Sequence, residues 1–92
     1  MSFLIKEVPF DSRPRERFKE YGVEALSNQE LLSILLRCGM KNKSVIELST
    51  EILCNYSLND FKNISFDGLR SIKGIGEVKA MILICAFEFS KR

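Results

Sequence analysis

Two capping boxes constrain this chain more than anything else in it. "SNQE", Ser27 to Glu30, and "SVIE", Ser44 to Glu47, each set a serine three residues ahead of a glutamate. In that pattern the serine side chain accepts a backbone N–H of the first helical turn, and the glutamate reaches back to the serine's own N–H. Each box therefore starts a helix. Ser57 and Ser65 repeat the serine signal before "LNDFKN" and "FDGLRSI". No segment alternates apolar and polar residues over a strand's length between hairpin turns. A chain that keeps starting helices and offers no strand is all-α.

The stops complete the layout. Residues 1–12 carry Phe3, Leu4, Ile5, Val8 and Phe10 without a helical cap, and are expected as an extended N-terminal arm. Pro14 suits the first turn of a helix, where its missing N–H is not needed, and "PRERFKEY" then runs to Gly22. In "QELLSILLRC", Leu31, Leu32, Ile34, Leu35 and Leu36 cover most of the circumference, which predicts a buried central helix stopped by Gly39. The second box opens a helix to about Asn55, with Val45, Leu48 and Ile52 on one face. Gly68 sits inside the helix after Ser65 at a cost of about 1 kcal/mol relative to alanine. The last helix spans Glu77 to Ser90. Val78, Ile82, Cys85 and Phe89, widened by Met81 and Ile84, make its expected core face. The sum is a small bundle of five or six short helices over residues 13–92, behind the arm.

Composition closes several function classes. The chain has no histidine, which removes the usual catalytic base and a common zinc ligand. Cys38, Cys54 and Cys85 include no C-x-x-C pair and read as reduced core filler in a cytoplasmic protein. No site combines a nucleophile, a base and a metal, so no enzymatic activity is expected of this chain. The N-terminus lacks a signal-peptide layout. The most apolar run, Ala80 to Phe87, is far short of the ~20 residues that cross a bilayer, so no membrane partner is expected. A net charge of +2, from 14 basic and 12 acidic residues, names no partner, and the placement of charge decides.

"IKGIGEVKAMI", Ile72 to Ile82, is where charge and backbone meet. Gly74 and Gly76 allow positive φ and leave the backbone amides uncovered. Ile75 between them can point inward and anchor the turn. The following helix begins with free N–H groups and a partial positive charge, which suits a phosphate. Lys73 precedes the glycines and Lys79 follows in the first turn of the helix. Glu77 opposes them, since it would repel a phosphate if it pointed at one. An upstream stretch, "LLRCGMKNKSVIELSTEIL", is a looser copy of the same helix, glycine turn and helix. Arg37, Gly39, Lys41 and Lys43 lie at this first turn, with no acid between residues 31 and 46. Two such units would stack on one core. Helix, I-K-G-I-G turn and helix together form the pattern of the helix-hairpin-helix, a binder of the DNA backbone that does not read bases. The plainer alternative is a tight structural turn flanked by solvated lysines.

"RPRERF", "EALSNQELLSILLRCG", "KSVIELSTEIL" and "IKGIGEVKA…FEFSKR" together resemble the N-terminal domain of the bacterial RadC family of DNA repair proteins. The resemblance implies a tandem helix-hairpin-helix domain linked to DNA repair or recombination, with DNA phosphates as its partner. It implies amide contacts to phosphate at Gly74, Gly76 and Val78. A monovalent cation is implied at the carbonyls of Arg70, Ile72 and Ile75. The first turn departs from the motif, because "GMKNK" lacks the second glycine. Full-length members of the family carry a C-terminal domain of the JAMM metalloprotease-like type with a zinc site of His and Asp. That domain is not in this sequence. Zinc is expected only there, and it would be a partner of the present one. The alternative function is a protein-interaction or domain-docking module in which the glycine turn is purely structural.

Overall fold

The computed structural model describes residues 13–92. The expected arm, residues 1–12, lies outside the described residues. Six α-helices follow in order: α1 (Arg13–Tyr21), α2 (Asn28–Leu36), α3 (Val45–Asn55), α4 (Leu58–Lys62), α5 (Phe66–Arg70) and α6 (Gly76–Lys91), with a 3-10 turn at Val23–Ala25. No strand forms among the described residues, so the fold is a small all-α bundle.

The serine signals set the starts as the sequence predicts. Ser27 Oγ accepts from the Glu30 amide at 3.2 Å, and the Ser27 amide donates to Glu30 Oε1 at 2.9 Å. The second box repeats this between Ser44 and Glu47 at 3.2 and 3.0 Å. Ser57 accepts from the Asp60 amide and Ser65 from the Gly68 amide, both at 3.1 Å. Each cap contributes about 1 kcal/mol, which matters most for α4 and α5, at five residues each.

The Ser44 amide and hydroxyl bonds hold the Glu47 carboxyl below the usual glutamate range. A depressed folded-state value favours the folded carboxylate above the unfolded pKa, and that contribution disappears as pH falls through the folded value. The melting temperature should therefore drop between about pH 5 and pH 3. It should drop less in Glu47→Gln, which keeps the capping geometry without titrating. Equal drops in the two proteins would remove Glu47 as the cause.

The core runs through both helical pairs. Leu32 and Leu36 of α2, Val45, Leu48 and Ile52 of α3, Phe61, Leu69 and Ile75, and Ala80 and Leu83 of α6 form one buried cluster. The predicted α3 face is the observed one. Helix α2 packs against α1, α3 and α6 and is central in that sense. Its burial is one-sided, however, with Leu31 left 37% exposed. Small residues let α2 and α3 approach closely. Ser33 Oγ lies 2.7 Å from the Gln29 carbonyl and 3.1 Å from Ser49 Oγ. Since a hydroxyl has one proton, Ser33 donates to the carbonyl and Ser49 donates to Ser33, so both buried hydroxyls are satisfied. Gly68 is also explained, because a Cβ there would come within 2.7 Å of Ile64 Cγ2.

Three expectations are corrected. Helix α2 ends at Leu36, not at Gly39: Arg37 leaves the helix with φ 75° and ψ −50°. The core face of α6 is the other one. Ala80 and Leu83 are buried, while Val78, Met81, Cys85 and Phe89 face outward and Ile82 is half-buried. All three cysteines are exposed rather than core filler.

Candidate nucleic-acid interface

The second turn is built from the end of α5 and the start of α6. The Ile72 amide donates to the Leu69 carbonyl at 3.1 Å, and the Ile75 amide donates to the Ile72 carbonyl at 3.0 Å. Ile75 is 3% exposed and pins the turn to the core. Gly74 has φ 97° and Gly76 has φ 67°. At Gly74 positive φ disfavours a side chain, and a Cβ would press at 2.9 Å on the flexible ends of Leu48 and Met40, so the turn packs closely on α3 and the first turn. At Gly76 nothing lies within 4 Å, so its surroundings are open. Helices α2 to α5 all have serine caps, but Ile75, the residue before α6, makes no side-chain cap. The first-turn amides of α6, at Gly76, Glu77 and Val78, receive no cap from a side chain among the described residues.

The charges divide into two groups. Lys73 is exposed at the turn. Lys79 is turned inward: its ammonium donates to the Cys38 carbonyl at 2.6 Å and to the Gly74 carbonyl at 3.3 Å, tying the two turns together. Two of its three donors are therefore used within the fold. Glu77 lies 4.0 Å from the Arg70 guanidinium, which also pairs with Asp67 at 3.2 Å. Arg70 is nearer Asp67 than Glu77, so Glu77 stays an exposed acidic side chain beside the turn.

The first turn has its own geometry. The Cys38 amide donates to the Leu36 carbonyl at 2.9 Å across Arg37. With positive φ at Arg37, this is the rare, strained hand of the γ-turn. It aims the Cys38 carbonyl at Lys79. Met40 and Lys43 then exchange backbone bonds of 2.8 and 3.1 Å, leaving Lys41 and Asn42 exposed at the tip. Gly39 is required by space: a Cβ would sit 2.1 Å from the Lys43 carbonyl oxygen. Lys43 pairs with Glu51 at 2.5 Å.

The structure therefore brings Lys73, Gly74, Ile75, Gly76, Val78 and Lys79 together with Gly39 and the first turn, but not in equal roles. Ile75 and Gly74 hold the turn, Lys79 and Lys43 are engaged internally, and Arg37, Lys41 and Lys73 are exposed. For the monovalent cation, the Ile72 carbonyl already accepts the Ile75 amide. The ammonium that the fold does place among turn carbonyls is that of Lys79, at Cys38 and Gly74. No cluster of three or more His, Cys, Asp or Glu residues fit for a metal occurs among the described residues. Nor is any helix there long and apolar enough to cross a membrane. The Lys79–Cys38 contact spans 41 positions, so no local pattern in the sequence could signal it.

Fold and turns define a small all-α module in which two helix–turn–helix units share one core and are locked turn to turn. The chain belongs to the UPF0758 family, whose N-terminal domain profile matches residues 5–81. It is similar to a UPF0758 protein of Geobacillus thermodenitrificans, 44% identical over 93 residues, covering all of this chain and 41% of the relative. A UPF0758 protein of Streptococcus agalactiae is 54% identical over 80 residues, 86% of this chain and 35% of the relative. One from Pelodictyon phaeoclathratiforme is 44% identical over 82 residues, 89% of this chain and 37% of the relative. The chain thus spans about two fifths of the length of these relatives. No solved structure matches it.

Proposed function

We propose that this domain is a RadC-like tandem helix-hairpin-helix module that binds the phosphate backbone of DNA without reading bases. It would act in DNA repair or recombination and have no catalytic role of its own. One observation carries the reading: α6 starts between two positive-φ glycines with no side-chain cap among the described residues, and the exposed Lys73 stands beside its first turn. Such a start attracts an anion through the N–H groups and the helix dipole. The neighbouring tip with Lys41 and Arg37 adds a second point of contact. Exposed, unpaired thiols suit a reducing cytoplasmic setting. With few phosphates engaged, affinity is expected at about 10⁻⁴ to 10⁻⁶ M.

Fluorescence anisotropy with labelled duplex DNA at low and high salt tests this. Lys41→Glu combined with Lys73→Glu should weaken binding at least about tenfold, because both charges are exposed and each reversal adds repulsion. Neither residue supports the core, so the melting temperature should hold. Unchanged affinity would remove both turns from the interface. A docking role for the domain is favoured separately by the outward face of α6.

A further inference from the structure

The outward face of α6 is an apolar surface that phosphate binding does not use. Met81 is 46% and Phe89 84% exposed, and Cys85 lies exposed between them. Beside them an open groove of about 540 Å³ is lined by Ile84, Cys85, Ala86, Glu88, Phe89 and Arg92. Phe89 stands about 20 Å along the helix axis from the turn at Gly76. The two surfaces can therefore be occupied together.

We infer that the C-terminal half of α6 is the seat of the polypeptide that follows this domain in the longer UPF0758 proteins. Three observations select that occupant. The matching profile is that of an N-terminal domain, and the match covers only 41% of the Geobacillus relative's length. Helix α6 reaches Lys91, so a chain continuing from it emerges within one turn of Phe89. The exposed stripe is also one helix wide, built on Met81, Cys85 and Phe89. A stable interface between separate molecules takes about 800 Å² from each partner, which a single-helix stripe does not supply. A tethered segment faces no such threshold. Its effective concentration is in the millimolar range, and contacts between domains of one chain are typically small. Its contacting surface would be apolar at the centre, with polar groups opposite Glu88 and Arg92 at the rim, which pair with each other at 3.2 Å.

Hydroxyl-radical footprinting tests the inference, because sulfur and aromatic side chains report their own exposure. The proteins are this chain and a chimera in which it replaces the aligned segment of the Geobacillus thermodenitrificans relative, so that the labelled side chains are the same in both. Labelling at Met81, Cys85 and Phe89 should be roughly fivefold lower in the longer protein, with Phe18 and Tyr21 of α1 unchanged. Aspartate at the Phe89 position of the longer protein should restore labelling at Met81 and Cys85, whose sulfur atoms remain as reporters. Phe89→Asp in this chain should leave its melting temperature unchanged, which shows that the substitution spares the fold. Equal labelling in the short and long proteins overturns the inference. So does a concentration-dependent fall in labelling of this chain alone with a doubling of mass, since the occupant would then be a second copy.

Discussion

Gly39→Ala is expected to destabilise the domain by at least about 3 kcal/mol, measured by urea unfolding with the wild type in parallel. A single methyl group does this because of what it meets. The new Cβ would lie 2.1 Å from the Lys43 carbonyl oxygen, 2.5 Å from the Ser44 carbonyl carbon and 2.6 Å from the Val45 nitrogen. All three are backbone atoms, so no rotamer change relieves the contact. The turn must open, which breaks the paired bonds between Met40 and Lys43 and displaces the Ser44 cap of α3. Against a total of about 5 kcal/mol for so small a domain, most of the stability would be lost. Gly76→Ala is the internal comparison. It has open space and only a positive φ to accommodate, at about 1–2 kcal/mol. If the two substitutions cost the same, steric closure is not what Gly39 provides.

Phe61→Ala should cost about 3–5 kcal/mol. Phe61 is 2% exposed and is the only buried residue of α4. Its ring meets Phe87 of α6 edge-on at 6.0 Å and Tyr56 at 6.4 Å. A five-residue helix cannot persist on its own, so α4 depends on this one anchor and its Ser57 cap. Removing the ring leaves a cavity and also releases α4 from α6. The expected signature is a lower unfolding midpoint together with loss of amide protection at 58–62 ahead of the rest. A loss below about 2 kcal/mol would mean that the neighbours collapse into the space.

What could be read from the sequence was local. The serine caps fix helix starts through bonds three residues long, and all four were legible. The α3 face was also legible, because Glu47 and Glu51 mark the opposite side. Helix α6 misled because it satisfies the helical spacing twice. Val78, Ile82, Cys85 and Phe89 form one stripe, and Ala80, Leu83, Ile84 and Phe87 form another. Side-chain volume favours the first, yet Ala80 is fully buried because a small residue lets the helix backbone approach its neighbours. The charges held the better signal: Glu77 and Glu88 lie four before and seven after Met81, on the same side of the helix. At the candidate site the glycines and Lys73 were legible. The conformation of Arg37 was not, since an arginine gives no local reason for positive φ. The roles of Lys79 and Lys43 were not either, because both depend on partners brought close by the fold.

The internal engagement of Lys79 changes how the domain should respond to electrolyte. An ammonium with two of its three donors on carbonyl oxygens is held back from direct phosphate contact, so it displaces fewer counterions than a free lysine. Lys43, paired with Glu51, is similarly discounted. Of the five basic residues at the two turns, Arg37, Lys41 and Lys73 remain to displace ions from a duplex. The logarithm of the binding constant should therefore fall against the logarithm of salt concentration with a slope no steeper than about −3, at ~0.9 per phosphate. A count of the basic residues in the sequence would put that slope nearer −5.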